Sequence, residues 1–277
     1  MEARVTERPP ITAADRLARD LRVEIEARRL PHGTRLPSTK VMAERHGASA
    51  TTVSRAVQQL VDEGLVIAVA RTGRVVNFPA PEEPKTPDRL VVVLIGGYAG
   101  SGKTELGRVL ARLTRWAMID KDSITRAVVE AALSTIGLSP HDRESPQYRN
   151  VVRPAEYEAL LMTTEENIEC GTSCIVTAPH VSEFADPAWC KRTRSALASR
   201  GAKVQFVWVS CDPETMHRYI RKRGAARDAA KLADWDAWIG SLDLNLRPAT
   251  EHLIIDNSAG APPLQEQAEA LLAAVMQ

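Results

Sequence analysis

Residues 90–104 read LVVVLIGGYAGSGKT, and this stretch decides the fold of the larger part of the chain. Its first six residues are only leucine, valine and isoleucine, which is typical of a buried strand in a parallel sheet. Residues 97–104 then match the pattern G-x-x-x-x-G-K-[ST] at every fixed position. Glycines let successive backbone N–H groups turn toward phosphate oxygens, and the N-terminus of a following helix adds positive potential. The stretch therefore predicts a strand, a phosphate-binding loop and a helix, in that order.

The residues of this loop have separate predicted roles in binding a nucleoside triphosphate. We expect Lys103 to reach the β and γ phosphate oxygens and the Thr104 hydroxyl to coordinate Mg²⁺. ATP and Mg²⁺ are accordingly the expected cofactors. The loop residues predicted to contact the nucleotide are Gly97, Gly100, Ser101, Gly102, Lys103 and Thr104. The alternative is a glycine-rich turn that binds no nucleotide, which the flanking strand and helical pattern disfavour.

Four further strands are predicted downstream, near residues 116–120, 174–178, 203–210 and 252–256. Helical patterns lie between them, and this alternation is typical of a parallel sheet covered on both faces. We therefore predict an α/β P-loop NTPase domain with a mainly parallel sheet. Ligands of such sheets gather at the carboxyl ends of the strands.

Two carboxylates follow the predicted strand at 116–120 and are candidates for catalysis. A carboxylate at this place can accept the proton of an incoming hydroxyl or hold Mg²⁺, as phosphoryl transfer requires. Asp122 is the predicted base, and Asp120 is predicted to support it or to contact the metal through water. Asp122 could instead only cap a helix that starts at Ser123. His180 follows the strand at 174–178, where a structural and a functional role are equally consistent with the sequence.

A basic stretch, residues 218–227, lies between the last two predicted strands, and we call it the lid. Clustered guanidinium groups on a mobile segment can close over phosphates and neutralise the charge that develops during transfer. The alternative is a solvated basic face of a helix. The basic residues of the lid are Arg218, Arg221, Lys222, Arg223 and Arg227.

Residues 90–277 resemble small-molecule P-loop kinases of the group that contains gluconate kinase, chloramphenicol phosphotransferase and polynucleotide kinase. The best-matched parts are the phosphate-binding loop, the Asp-Lys-Asp at 120–122 and the lid. The resemblance implies that Asp122 activates an acceptor hydroxyl. It implies catalytic roles for Lys103, Asp122, Arg223 and Arg227. Nucleotide contacts near the adenine fall on Arg218 or Arg221.

The chain departs from this group in two places. Thr125 stands where polynucleotide kinase has an arginine, and the strand at 174–178 lacks the terminal Asp or Glu of a Walker B motif. The acceptor is an unidentified small molecule, and its binding residues are only circumstantial: the polar stretch 141–149, then Arg153, Glu156 and Tyr157. A solvated loop is equally consistent with that stretch. Trp235 and Trp238, three residues apart on a predicted helix, are predicted to be core.

The first eighty residues have a different pattern. Leu17, Leu21, Ile25 and Leu30 recur at helical spacing, and Ser38 and Ser49 are predicted caps of two further helices. Two short β-type runs, 65–70 and 74–78, flank a turn and predict a hairpin. This is the order of an α+β winged helix-turn-helix, whose third helix can enter a major groove. The residues expected from this geometry to contact DNA are Ser49, Thr51, Thr52, Arg55, Arg71 and Arg74.

The segment GTRLPSTKVMAERHGASATTVSRAVQQLVDEGLV also resembles the DNA-binding domain of GntR-type bacterial transcription regulators. The resemblance spans about residues 10–78 and implies binding to a double-stranded DNA operator. It adds Lys40 and Ala50 to the expected DNA contacts. Thr39 and Ala50 differ from the Glu and the frequent Arg of that family, so affinity or target sequence can differ. A winged helix used for protein contacts is the alternative.

Composition supports two parts with different partners. Residues 1–80 hold 13 basic and 9 acidic side chains, a balance of +4, whereas the whole chain has a formal net charge of +1. The segment 79–88, PAPEEPKTPD, is predicted to be a linker because its four prolines exclude a helix or an inner strand. The predicted domains are therefore 1–78 and 89–277. A surface loop within one domain is the alternative for 79–88.

We expect a cytoplasmic protein that contacts no membrane. The longest strongly apolar run has the length of a strand, and the first 30 residues lack a secretory pattern. The four cysteines are predicted to be buried, reduced thiols because they lack CxxC spacing.

Three hypotheses about function remain. The first is a transcription regulator that binds DNA as a homodimer on a palindromic site. Its second domain would sense ATP or transfer its phosphate. The second is a metabolic kinase whose winged helix serves dimerisation or targeting. The third is a nucleotide-gated regulator without turnover. The candidate base and the arginine cluster favour phosphoryl transfer, and the well-formed helix-turn-helix favours DNA binding.

Overall fold

The computed structural model describes residues 11–27, 29–70, 72–78 and 89–276. The predicted linker 79–88 and the predicted DNA contact Arg71 lie outside these residues. The chain divides into two compact units. The first contains the described residues up to 78 together with Ala259–Pro263, and the second contains the others.

The first unit is a winged helix-turn-helix. Its elements are the helices α1 (Ala13–Glu26), α2 (Thr39–His46) and α3 (Ala50–Asp62) and the strands β1 (Val66–Val69) and β2 (Gly73–Val76). The strands pair antiparallel, as the two β-type runs predicted. Thr12, Ser38 and Ser49 cap the three helices through their side-chain oxygens. Helix α1 ends before Leu30, which only packs against the edge of the core.

The core of this unit joins all five elements. The buried residues Leu17, Leu21 and Ile25 of α1 face Val53, Val57 and Leu60 of α3, and Val66 and Val76 of the hairpin close the cluster. Each such side chain contributes about 1.5–3 kcal/mol when it is fully buried. The core therefore holds α3 with one face inward and the opposite face exposed.

The second unit is built on a parallel five-stranded sheet. Its strands are β3 (Val91–Gly96), β4 (Ala117–Asp120), β5 (Cys174–Thr177), β6 (Lys203–Ser210) and β7 (His252–Asp256). Their order in the sheet is β4-β5-β3-β6-β7, so the strand that precedes the P-loop is central. All four strand pairs are parallel, and Ile95 of β3 lies opposite Thr177 of β5. The carboxyl ends of all five strands thus meet at one edge.

Nine helices accompany this sheet in the described part of the chain. They are α4 (Lys103–Thr114), α5 (Lys121–Thr135), α6 (Arg153–Glu169), α7 (Val181–Ala185), α8 (Pro187–Ser199), α9 (Pro213–Arg223), α10 (Ala229–Ala233), α11 (Trp235–Gly240) and α12 (Leu264–Val275). A π-helix, Tyr148–Val152, precedes α6, and a 3₁₀-helix, Ala226–Asp228, follows α9. The main core lies between the sheet and the helices α6 to α8.

Two predictions about side-chain burial are wrong. Trp235 and Trp238 are only partly buried, and no residue of α11 belongs to the core. Their ring centres lie 4.9 Å apart, and Trp235 packs against His217 on α9. The three-residue spacing therefore places the two tryptophans in a partly exposed ring cluster and not in the core. Cys170 is exposed and Cys211 partly buried, whereas Cys174 and Cys190 are buried.

Among the described residues, no helix combines the length and the apolar character that crossing a membrane requires.

Candidate functional site

The phosphate-binding loop connects β3 to α4 at the carboxyl edge of the sheet. Helix α4 begins at Lys103, and Gly102 caps it with a left-handed φ of 94°. A Cβ atom on Gly102 would lie 2.1 Å from the Nδ2 atom of Asn257, so only glycine fits here. The buried Asn257 side chain donates a hydrogen bond of 3.0 Å to the Ser101 carbonyl. Asn257, which was not predicted to belong to the site, therefore fixes the loop from the end of β7.

Lys103 lies at the first position of α4, close to several charged groups. Burial lowers the pKa of its ammonium group to about 8, and the nearby carboxylates of Asp122 and Asp120 oppose this shift. The cations Arg223 and Arg227 of the lid add to the lowering. The structure therefore brings the predicted lysine, both predicted carboxylates and two lid arginines into one electrostatic cluster.

Asp120 is held at the end of β4 by three hydroxyl- or amide-bearing neighbours. Its Oδ2 atom accepts hydrogen bonds from Thr104 Oγ1 at 3.2 Å and from Thr177 Oγ1 at 2.6 Å. Its Oδ1 atom accepts from the Ser123 backbone N–H at 3.1 Å, so Asp120 caps α5. Thr177 stands at the end of β5, where the sequence lacks an acidic residue, and it was not predicted to belong to the site.

The oxygen atoms of Thr104 and Asp120 fit a magnesium site. Mg²⁺ in kinase sites takes one or two protein oxygens, and substrate phosphates and waters complete its shell. Among the residues that the structure describes, no group of three or more His, Cys, Asp or Glu side chains is arranged to hold a metal on its own. The Thr104 hydroxyl already contacts the carboxylate that would share the ion.

Asp122 lies in the first turn of α5 and is not its cap, because Asp120 has that role. Its Oδ2 atom is 2.7 Å from Arg227 Nη2, and its Oδ1 atom is 3.5 Å from Lys121 Nζ. Burial alone would raise the pKa of this carboxyl, but the charges of Lys121, Arg227 and Lys103 outweigh it and hold the pKa below its ordinary value. Asp122 is therefore an ionised carboxylate that can accept a proton.

The lid arginines occupy different places. Arg227 reaches Asp122, whereas Arg223 forms an ion pair with Asp228, whose carboxylate is buried. Arg218 places its guanidinium 5.3 Å from the ring centre of Tyr219, and Arg221 is exposed on α9. Helix α9 still borders the loop, since a Cβ atom on Gly100 would lie 2.7 Å from the Met216 carbonyl.

A buried polar network lies beside Asp122. Glu156 of α6 accepts hydrogen bonds from Lys121 Nζ at 2.6 Å, from Thr125 Oγ1 at 2.7 Å and from the Tyr148 hydroxyl at 2.8 Å. All four side chains are buried. Burial and the charge of Glu156 raise the pKa of Tyr148 above its ordinary value, so the phenol keeps its proton. The network holds Lys121 close to Asp122.

The polar stretch 141–149 was predicted to line an acceptor pocket or to be a solvated loop, and its residues differ in which of these they fit. Arg149 pairs with Glu144 on the surface, as a solvated loop would, but Tyr148 is buried in the network just described. Further on, Arg153 forms two contacts with Glu183, Nη1–Oε1 at 2.7 Å and Nη2–Oε2 at 2.8 Å. Arg153 and Glu183 line a cavity of about 470 Å³ together with Tyr157 and Trp189, among others.

The predicted DNA contacts of the described residues lie on α2 (Lys40), on α3 and its cap Ser49, and on β2 (Arg74). Lys40, Ser49, Ala50, Thr51 and Arg55 are exposed, and Thr52 and Arg74 are partly exposed. The Ser49 hydroxyl accepts from the Thr52 backbone N–H at 3.1 Å and lies 2.8 Å from the Thr52 hydroxyl. Arg55 has no side-chain hydrogen bond or ion pair among the described residues. It is exposed on α3.

These two constellations define the class of the protein. A central strand, a P-loop and a lid at the carboxyl edge of a parallel sheet make a kinase-like, nucleotide-binding domain, and a winged helix-turn-helix precedes it. The chain belongs to the AAA domain family AAA_33, whose family model matches residues 92–244, more than half of its length. Residues 13–76 match the model of the bacterial regulatory proteins of the gntR family, a family of DNA-binding domains.

Known proteins similar to this chain include several kinases. A shikimate kinase of Parabacteroides distasonis is 27% identical over 157 residues, which are 50% of this chain and 88% of that protein. The solved APS kinase CysC of Mycobacterium tuberculosis has 18% identity and a TM-score of 0.46 over 69% of this chain and 100% of its own. A solved gluconokinase from Sinorhizobium meliloti 1021 has 15% identity and a TM-score of 0.43 over 67% of this chain and 93% of its own.

Proposed function

We propose that the protein is a DNA-binding regulator whose second domain transfers the γ-phosphate of ATP to a small hydroxyl-bearing acceptor. The observation that carries this proposal is the position of Asp122. Its ionised carboxylate contacts Arg227 of the lid and lies within the electrostatic reach of Lys103 of the P-loop. A proton acceptor, a phosphate-binding lysine and an arginine are the groups that phosphoryl transfer needs at one place.

In this mechanism the P-loop amides and Lys103 hold the triphosphate, and Asp122 receives the acceptor hydroxyl. The acceptor oxygen forms a bond to the γ-phosphorus while the bond to the β–γ bridging oxygen breaks, and ADP leaves. Asp122 takes the hydroxyl proton. The guanidinium of Arg227 lies beside the base, with Nη2 2.7 Å from Asp122 Oδ2, and from there it stabilises the negative charge of the transferred group. Magnesium, held by Thr104 and through water by Asp120, would supply positive charge to the β and γ phosphates.

In the regulatory half, α3 reads operator DNA as part of a homodimer in the cytoplasm. Arg55 is its candidate for recognising a guanine edge, while Lys40, Ser49, Thr51 and Thr52 contact phosphates. A nucleotide or acceptor changes operator affinity only if it binds two conformations of the protein with different affinities. The sequence similarity of residues 13–76 to gntR-family regulators supports this half.

The second candidate is a metabolic kinase whose winged helix serves dimerisation or targeting. The similarity to a shikimate kinase over 157 residues favours it. The two functions differ in whether Mg-ATP and operator binding influence each other.

One experiment separates them. Operator-containing duplexes are titrated with the full chain at fixed salt, with and without Mg-ATP, while ADP release is followed in parallel. A nucleotide-dependent change in sequence-specific affinity supports the regulator. ADP release with an acceptor but without specific DNA binding supports the metabolic kinase. DNA binding that responds to Mg-ATP without ADP release identifies a sensor that does not turn over.

A further inference from the structure

The imidazole ring of His180 is enclosed at the end of β5 with no hydrogen-bond partner. The residue is 0% exposed, and neither Nδ1 nor Nε2 has a partner among the described residues. Its φ of 48° is left-handed, a conformation that is unfavourable for a residue with a side chain. Buried polar atoms are almost always paired in folded proteins, and strained residues cluster at functional sites. A strained, unpaired ring is therefore a candidate ligand-binding group.

The ring lies behind two aromatic walls of the cavity beside α6, and the residue before it contacts the P-loop. It stacks on Phe184 with ring centres 4.7 Å apart, and the ring centres of Tyr157 and Trp189 lie at 5.3 and 5.6 Å. Tyr157 and Trp189 are walls of the cavity. On the other side, the Gly97 backbone N–H donates a hydrogen bond of 3.0 Å to the carbonyl of Pro179, the residue before His180.

The segment before α6, the helix whose Tyr157 contacts the ring, also has an irregular backbone. The π-helix Tyr148–Val152 leads directly into α6 at Arg153, whose guanidinium lies 4.6 Å from the Tyr157 ring centre. Single-turn π-helices occur frequently at functional sites. The helix that contributes Tyr157 to the surroundings of His180 is thus preceded by a second departure from regular structure.

The charged side chains near the ring each lie close to a group of opposite charge, although the cations still act on the ring. Lys121 is paired with Glu156, Arg153 with Glu183, and Lys103 lies near Asp122. Burial, together with the charges of Arg153, Lys103 and Lys121, lowers the pKa of His180 to about 3. The ring is then neutral near pH 7 and offers one N–H donor and one lone-pair acceptor. A hydroxyl group, which is both donor and acceptor, complements it without adding charge.

We propose that His180 is a specificity residue that binds a second hydroxyl of a neutral polyol acceptor, while the acceptor's first hydroxyl faces Asp122. The inference rests on the proposed phosphoryl transfer and names its substrate class. Aromatic rings of Tyr157 and Trp189 pack against the C–H faces of the polyol. Acceptor entry requires that the Arg153–Glu183 pair, which also lines the cavity and is mostly buried, opens.

The test compares matched acceptors with the full chain and Mg-ATP. Glucitol and gluconate differ in one terminal group, a neutral alcohol in the first and a carboxylate in the second, and 1-propanol supplies a single hydroxyl. ADP release gives kcat and KM for each. The variants are His180→Phe, which keeps a ring but no nitrogen, and His180→Asn, which keeps a donor and an acceptor and tolerates positive φ. His217→Phe is the control, because its imidazole packs on Trp235 instead.

We expect turnover with glucitol above that with gluconate or 1-propanol. His180→Phe should raise the KM for glucitol about tenfold, as the loss of one or two neutral hydrogen bonds implies, and leave the KM for ATP unchanged. His180→Asn should recover most of this loss, and His217→Phe should behave as the wild type. An unchanged KM for glucitol in a folded His180→Phe variant overturns the inference.

A spectroscopic readout covers the case in which the substituted chains do not fold. In the wild-type chain with ¹⁵N-labelled histidine and an ATP analogue that is not cleaved, glucitol should shift the ring ¹⁵N signals of His180. Unshifted signals overturn the inference if the glucitol concentration is one at which the same chain phosphorylates glucitol with ATP. Preference for gluconate also overturns it but leaves phosphoryl transfer standing. Absence of ADP release with every acceptor, despite ATP binding, contradicts the proposed transfer itself.

Discussion

A single carboxylate carries the proposed chemistry because its neighbours keep it ionised. Asp122 has a side chain that is 41% exposed, yet two cations lie within 4 Å of it. The buried Glu156 holds one of them, Lys121, in place from α6. Replacing the carboxylate by an amide of the same shape removes the proton acceptor and leaves the P-loop intact.

For Asp122→Asn we therefore expect ATP affinity within about twofold of the wild type and a transfer rate lower by roughly 10²–10⁴, the usual contribution of a general base. Calorimetry gives the affinity and ADP release with an acceptor gives the rate. Asp236→Asn, on the exposed face of α11, is the matched control. Unchanged turnover in Asp122→Asn would remove this residue as the base.

His180 makes the stability of the second unit depend on pH. The ordinary pKa of 6.5 applies in the unfolded chain, whereas burial lowers the pKa to about 3 in the folded chain. Between these values the unfolded chain binds one more proton than the folded chain, so stability falls as the pH falls. The expected slope is about 1.4 kcal/mol per pH unit for this one residue.

Other titratable groups contribute equally to the pH dependence of the wild type and of His180→Phe. The difference between the two slopes is therefore the contribution of His180. All five tryptophans lie between residues 116 and 238, so tryptophan fluorescence during urea unfolding reports on the second unit. The measurement is repeated at several pH values between 7 and 4. Parallel curves for the two chains would show that the ring is protonated or hydrated in the folded state.

At the scale of elements, α3 is presented by the core of the first unit. Val53, Val57 and Leu60 fix its inner face, so the exposed Arg55 has a defined direction on the outer face. Arg55→Ala should weaken binding to the preferred operator by about 1–3 kcal/mol and relax the preference at one base position. Lys40→Ala, at a predicted phosphate contact, should weaken all duplexes alike and lower the salt dependence.

Competition between duplexes that differ at single positions, at several salt concentrations, measures both effects. An unchanged sequence preference in Arg55→Ala would argue against base recognition by this residue.

Signals in neighbouring residues made the helices and strands predictable. Contacts between residues far apart in the sequence could not be predicted. Caps such as Ser38 and Ser49 and the strand before the P-loop are written in neighbouring residues, and the structure has them where predicted. The partners of Glu156 come from residues 121, 125 and 148, and no sequence spacing joins them. Trp235 and Trp238 were misplaced because a helical spacing does not tell whether the shared face meets the core or only His217.

At the scale of the whole molecule, the chain combines two folds that each have their own core and their own predicted ligand. The core of the first unit and the core beside the sheet share no residue. The sequence predicted this arrangement from the charge balance of +4 in residues 1–80 and from the proline-rich stretch. Because the predicted boundaries fall in 79–88, outside the described residues, they remain a prediction.

The variant Lys103→Ala tests whether the two units bind their ligands independently or in a coupled way. Lys103→Ala removes the ammonium group that we propose to bind phosphate, and Lys103 belongs to α4 of the second unit. We expect ATP affinity to fall by roughly 10- to 100-fold, since one or more charge-assisted hydrogen bonds are lost. Operator affinity without nucleotide should equal that of the wild type. Lys191→Ala, exposed on α8, is the control for removing a positive charge.

Adding Mg-ATP then distinguishes the regulator from two merely linked modules. If the nucleotide shifts the operator affinity of the wild type, the shift should vanish in Lys103→Ala, because reciprocal coupling requires that ATP be bound. Fluorescence anisotropy of a labelled operator at fixed salt measures both chains side by side. Equal loss of ATP and DNA binding in Lys103→Ala would refute independent modules, since a P-loop side chain would then be needed for the first unit to bind its duplex.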